Sequence, residues 1–214
     1  VEHIIIPAIN KNNFDKVIKI TEKYNQCSYA LGFHPLYLNE FKQTDLKLLE
    51  YYLTNNDSIA VGEIGLDLYV QKDNQAEQEK VFLAQLQLAN KFNLPVIMHV
   101  RGAIDIVLKN LRQIKVKGGI AHAFNGSFQQ ADQLIKLGFK LGFGGAMTYP
   151  RAKHIQKLAK ELPIEAIVLE TDSPDMPPSW LDKSLDNQPK ELGKIAEFFC
   201  NLRGLESLKT ADII

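Results

Sequence analysis

The sequence predicts an α/β fold of the TIM type, a closed (β/α)8 barrel, and three observations lead there. Short apolar runs alternate with amphipathic helical patterns along the chain, which implies a parallel sheet with right-handed crossovers. Polar residues suited to chemistry follow five of those runs, at His34, Glu63, His99, His122 and Asp172. An open doubly wound sheet collects its ligands near one switch point, whereas a ring of strands gathers them from many strand ends. Seven runs are present, and a barrel of this kind has eight strands. The missing strand is expected before His3, because the chain starts at Val1 without methionine and is already apolar by Ile4.

Each element follows from its local pattern. Residues 4–8 form the first run, and residues 10–24 a helix that Asn10 is suited to cap. Residues 29–33 make the second strand, and residues 44–54 the second helix, with Thr44 as its expected cap. The third run, residues 59–62, ends at Glu63 and precedes a helix over 76–92. The fourth, residues 95–98, ends at His99; Ile104, Val107, Leu108 and Leu111 then follow the i, i+3, i+4, i+7 spacing of a helix with one apolar face. Residues 119–121 end at His122 and lead to a helix over 128–137. Residues 140–143 run into Gly144 and Gly145, and Ile155, Leu158, Ala159 and Leu162 mark the following helix. Residues 166–169 lead to Asp172, and Leu192, Ile195, Ala196 and Phe199 mark the last helix. The chain stops at Ala211-Asp212-Ile213-Ile214, inside what reads as the start of another helix. The expectation is one domain over residues 1–214, incomplete at both ends.

Composition narrows the function classes. Lysine plus arginine equals aspartate plus glutamate, at 25 each, which argues against a protein that coats nucleic acid by charge alone. A local basic site stays open. Cys27 and Cys200 form no close-spaced motif and read as two reduced thiols. No apolar run approaches the roughly 18 residues of a membrane span, and the start has no signal-peptide pattern. A cytoplasmic protein with no obligate protein partner is the expectation.

Mixed imidazole and carboxylate ligands suit zinc, manganese or iron(II) better than a pure oxygen-site ion such as calcium. Burying Glu63 after Ile-Ala-Val-Gly is costly without a cation or a paired charge. Each histidine taken singly could equally be a hydrogen-bonded core residue. Arg101, two residues past His99, is placed to grip an anion with its planar fork, or else to make a surface ion pair. Gly142, Gly144 and Gly145 with Thr148 close the seventh strand of the expected barrel, where backbone N–H groups often hold phosphate; a tight turn would need such glycines too. Asp67 reads as orienting the turn after Glu63, His154 as a surface residue, and Trp180 as a packed loop aromatic.

Five motifs occur in order: Ala30-Leu31-Gly32-Phe33-His34-Pro35, Val61-Gly62-Glu63-Ile64-Gly65-Leu66-Asp67, Met98-His99-Val100-Arg101, His122-Ala123-Phe124 and Leu169-Glu170-Thr171-Asp172-Ser173-Pro174. Together they resemble the TatD family of metal-dependent hydrolases, barrels related in architecture to the amidohydrolases, and Gly142-Phe143-Gly144-Gly145 through Tyr149-Pro150-Arg151-Ala152, with Asp172-Ser173-Pro174-Asp175-Met176-Pro177, resembles its bacterial branch. The resemblance implies two divalent cations, zinc, manganese or magnesium. Glu63, His99 and His122 would hold one, and Glu63, Asp172 and an opening His-x-His pair the other. This sequence lacks that pair, in line with a lost first strand. The resemblance further implies metal-activated water, with Asp172 and Glu63 as catalytic carboxylates and His34 and Arg101 as substrate contacts. The expected substrates are phosphoesters, above all DNA or RNA ends. Alternatives are an amidohydrolase-type reaction on carboxylic esters or amides, aminoacyl-tRNA esters included, or an inactive fragment that only binds.

Overall fold

A computed structural model describes residues 1–182 and 184–206. Strands and helices alternate as β1 (Ile4–Pro7), α1 (Phe14–Lys23), β2 (Cys27–Leu31), α2 (Gln43–Asn55), β3 (Ala60–Asp67), α3 (Gln75–Lys91) and β4 (Val96–Arg101). They continue as α4 (Ile104–Gln113), β5 (Gly119–Ala121), α5 (Phe128–Lys136), β6 (Phe139–Phe143), α6 (Lys153–Glu161), β7 (Ile167–Leu169) and α7 (Leu192–Arg203). Strands that are neighbours in the chain are neighbours in the sheet. No eighth strand occurs among the described residues. The helix expected at 211–214 lies outside them.

The chain divides into two compact units, Glu2–Ile120 and the residues from Ala121 onward. In the first unit, β1–β2, β2–β3 and β3–β4 pair in parallel. All of β3 is buried, as a strand covered on both faces must be. Both β3 and β4 outrun the apolar stretches that predict them, because the ladder continues through Gly65↔His99, Leu66↔Val100 and Asp67↔Arg101. Backbone pairing does not require apolar side chains. Glu63 and His99 therefore lie within strands, where the sequence reading put them just past the strand ends.

Between Val61↔Val96 and Ile64↔Met98 the register slips, two residues of β3, Gly62 and Glu63, facing one of β4, Ile97. Such a bulge re-aims the side chains it carries, and here those belong to Gly62 and Glu63. Gly65 is required beside it: its φ is +147°, and a Cβ would run into the His99 carbonyl oxygen.

The helices of this unit cover the strands with Phe14, Leu49, Val81, Phe82, Leu86, Val107 and Leu108, all buried. Asn10 caps as expected, accepting from Asn12 N–H at 2.9 Å at the start of a 3-10 turn. Thr44 does not. Helix α2 begins one residue earlier, and Asp45 reaches back to the Lys42 N–H at 3.0 Å, satisfying the helix start from its third position.

In the second unit β6 and β7 pair in parallel through Leu141↔Ile167 to Phe143↔Leu169. Ser127 and Gln130 form a capping box on α5. The Arg203 guanidinium donates to the carbonyls of Ala159 and Leu162 at 2.6 and 3.0 Å, tying the end of α7 to the open carbonyls of α6. Cys27 and Cys200 are both free thiols. Among the described residues no helix is long and apolar enough to cross a membrane.

Candidate metal centre

Glu63 is the hub of the first unit's polar cluster. The β3 bulge delivers it, and its own N–H is anchored on the Ala8 carbonyl at 2.9 Å. Its Oε1 lies 3.2 Å from Nδ1 of His99 and 3.3 Å from Nε2 of His34. Among the described residues, His34, Glu63 and His99 form a group whose donor atoms lie within 4.8 Å of one another. His34 comes from the turn after β2, where Pro35 occupies the first position of a 3-10 helix and the imidazole caps it, Nδ1 accepting from Leu36 N–H at 3.2 Å. The His34 ring, expected as a substrate contact, is buried against Glu63, its centroid 4.4 Å from that of His99.

Asp67 sits at the far side of His99. It is fully buried, and its Oδ2 lies 3.0 Å from His99 Nε2 while Oδ1 accepts the N–H groups of Tyr69 and Val70 at 3.0 and 2.8 Å. Burial alone would raise its pKa, but the hydrogen bonds from Val70, His99 and Tyr69 outweigh that and hold the carboxyl below the usual aspartate value. Asp67 orients an imidazole as well as a turn, and the turn is the one after β3, not the one at Glu63.

Two glutamines, invisible as site residues in the sequence, hold this unit's strand ends. Gln78 Oε1 accepts from Asp67 N–H at 2.8 Å, and its Nε2 donates to the Asp67 carbonyl at 3.2 Å. Gln85 does the same for Phe33, the residue before His34, at 2.7 and 3.1 Å. Both are buried on α3 beside Val81, Phe82 and Leu86. Their signal in the sequence is a spacing of seven on an otherwise apolar helix face, where a polar residue must find a partner.

The second unit carries His122, directly after β5, and Asp172, beyond β7 with φ +58°. Aspartate tolerates that left-handed conformation better than most residues. His122 Nδ1 lies 3.9 Å from Asp172 Oδ1 and 3.6 Å from Glu170 Oε1. Glu170 is the residue the sequence reading passed over as part of a motif. Its Oε1 accepts from Ala123 N–H at 2.7 Å, and a Cβ on Gly142 would run into its Oε2. The glycines at the end of β6 and just after it thus serve close approach, Gly142 to the Glu170 side chain and Gly145 to the loop at Met176. Thr148 is buried, donating to the Gly145 carbonyl and accepting from Ser179 N–H, both at 2.7 Å.

Arg101 ends β4 exposed, its guanidinium stacked 4.1 Å from the centroid of the exposed Tyr69 ring. His154 is an exposed helix residue bonded to the Gly126 carbonyl at 2.9 Å, and Trp180, expected as a packed aromatic, is exposed while its Nε1 donates to Glu191 Oε2 at 2.8 Å.

The donor set fits a transition-metal cation. Two ligands on a tetrahedral ion with bonds of about 2.0 Å stand about 3.3 Å apart, which is the spacing between Glu63 Oε1 and His99 Nδ1. An imidazole backed by a buried carboxylate is the usual setting of a metal-ligating histidine.

Comparison with known proteins places the chain in a family. The family model described as TatD related DNase matches residues 1–214. An uncharacterized metal-dependent hydrolase from Haemophilus influenzae is 39% identical over 212 residues, covering 95% of this chain and 80% of the relative. The uncharacterized metal-dependent hydrolase YjjV of Escherichia coli is 36% identical over 203 residues, 94% of this chain and 78% of that protein. The crystal structure of YjjV, a TatD homolog, superposes with a TM-score of 0.95 at 35% identity, covering all of this chain and 83% of that one. An uncharacterized amidohydrolase from Saccharomyces cerevisiae, at 16% identity and a TM-score of 0.83 over 100% of this chain and 86% of that one, shares the fold. That fold is the TIM-type barrel class predicted above.

Proposed function

The chain belongs to the TatD related DNase family of metal-dependent hydrolases, and we propose that it hydrolyses phosphodiester bonds at the ends of DNA or RNA strands. The ligands proposed are Glu63, His99, His122 and Asp172, the same set the motifs single out. A divalent cation there supplies Lewis-acid polarisation of the scissile group and acidifies the attacking water. Asp172, its side chain 32% exposed and so open to water, takes the water's proton. Glu63, buried and fixed by the bulge, sets the position of the centre. His34, whose Nε2 lies 3.3 Å from Glu63 Oε1, contacts the substrate.

Arg101 is the observation that carries the choice of phosphate over carboxylic ester or amide. The Arg101 guanidinium lies over the Tyr69 ring, 4.1 Å from its centroid, at the end of the strand that carries His99. An anionic phosphate rewards that arrangement; a neutral ester or amide does not. A zero net charge suits an enzyme that grips a strand end better than one that wraps a duplex. The test is a panel of generic phosphodiester, carboxyl-ester and amide substrates, with single-stranded oligonucleotides offered linear or circular. Turnover of the phosphodiester and of linear oligonucleotides is expected. Preference for the carboxyl ester or amide would overturn the reading.

A further inference from the structure

His34 and His99 both approach Glu63 Oε1, at 3.3 and 3.2 Å, so distance alone would make both ligands. What lies on the far nitrogen of each ring separates them. A neutral imidazole has one N–H and one lone pair, and a partner on one nitrogen settles the role of the other. His99 Nε2 faces Asp67 Oδ2 at 3.0 Å. Nδ1 also faces a carboxylate, Glu63 Oε1 at 3.2 Å, but that oxygen is approached by His34 Nε2 as well; the shorter contact to Asp67 therefore draws the neutral ring's proton to Nε2 and leaves Nδ1 as the nitrogen that can ligate. His34 is reversed. Its Nδ1 accepts the Leu36 N–H, so its proton is on Nε2, the nitrogen that faces Glu63.

We propose that Asp67 is a positioning residue that makes His99 a metal ligand, while the Leu36 N–H makes His34 a hydrogen-bond donor and bars it from ligation. Both rings carry the proton on Nε2 but are turned opposite ways, one presenting a lone pair to the centre and the other an N–H. His34 thereby suits contact with an anionic substrate oxygen or with Glu63 itself, and Asp67 sets ligand strength without touching a cation. Asp67 is itself immobile, since Gln78 pins its backbone N–H and carbonyl and the Tyr69 and Val70 N–H groups hold its Oδ1. The proposal rests on the reading of His99 as a ligand.

Asp67→Asn tests it. The Tyr69 and Val70 N–H groups require an acceptor, so the amide oxygen stays with them and the amide NH2 turns to His99. His99 Nε2 must then accept, its proton moves to Nδ1, and the ligating lone pair is lost. Ring 15N shifts of the metal-free protein, above the imidazole titration range, should show Nε2 protonated in both His34 and His99 of the wild type. In Asp67→Asn the His99 pattern should invert and the His34 pattern stay. Zinc affinity, read by competition with a chromophoric chelator, should fall about 10- to 100-fold in Asp67→Asn and stay unchanged in His34→Gln.

A wild-type His99 protonated on Nδ1 overturns the proposal, and needs no variant to fold. So does unchanged zinc affinity in Asp67→Asn when His99→Ala loses zinc, or a loss in His34→Gln equal to that in His99→Ala. If His99→Ala itself keeps wild-type zinc affinity, the metal-centre reading fails instead.

Discussion

At the scale of single residues, the metal-ligand roles make the sharpest claims. His99→Ala and His122→Ala should each lose bound cation when metal content is measured on purified protein. Unchanged content in both would return them to ordinary hydrogen-bonded packing. Arg101→Ala should keep its metal and lose phosphodiesterase efficiency, since a charge-assisted contact to phosphate contributes about 1.5–3 kcal/mol, roughly ten- to a hundredfold in kcat/KM. Equal kcat/KM in mutant and wild type would leave Arg101 as a surface residue stacked on Tyr69. Gly142→Ala should disturb Glu170, because the added methyl group occupies the space of its Oε2. The measurable outcome is a destabilised protein, by about 1–3 kcal/mol in urea unfolding, as overpacking of a full site costs.

The elements matter through the ends they present. Helix α3 covers the strands with apolar residues, yet uses Gln78 and Gln85 to finish hydrogen bonds that Asp67 and Phe33 would otherwise lack. Gln85→Ala should cost about 1–3 kcal/mol, the penalty for leaving buried backbone groups unpaired, whereas a change at exposed Gln87 on the same helix should be nearly neutral. Helix α2 offers a pH test. Burial would raise the Asp45 pKa, but the Lys11 ammonium 2.9 Å away and the Lys42 N–H outweigh it and lower it. A carboxylate depressed in the folded state contributes stability above its unfolded pKa of about 3.9 and loses it as pH falls through the folded value. Asp45→Ala should therefore cost about 1–2 kcal/mol at pH 7, and the gap to wild type should close as the pH drops below about 4. A gap independent of pH would remove the charge from the explanation and leave only packing.

For the whole molecule the cation is a ligand of the folded state, because the strands and turns that gather its donors exist only there. At a concentration 100 times Kd such a ligand adds about 2.7 kcal/mol. In a chain of this size that amounts to a rise in Tm of about 5–10 °C. Calorimetry with zinc or manganese against a chelator should show the shift in wild type and not in His99→Ala. A Tm indifferent to chelation in the wild type would argue against a resident metal.

The sequence by itself determined the alternation of strands and helices, the seven runs and the residues that end them, because periodicity and burial are written locally. It also marked Glu63, His99, His122 and Asp172, since polar residues interrupting buried runs need a reason. It could not place the strand ends. Apolar character stops at Gly62 and Met98, while the ladder runs on to Asp67 and Arg101 through backbone groups that every residue has. Nor could it give the physical reason that separates His99, expected as a ligand, from His34, expected as a substrate contact. That depends on which partner meets the far ring nitrogen, Asp67 from another strand for His99 and the Leu36 N–H for His34. Thr44 lost its cap to Asp45, Glu170 proved to be part of the His122 cluster, and Gln78 and Gln85 took up strand backbone, for one shared reason. A side chain's hydrogen-bond partner is fixed by the packing of segments distant in the chain, and only the tertiary structure brings them within 3 Å or so of each other.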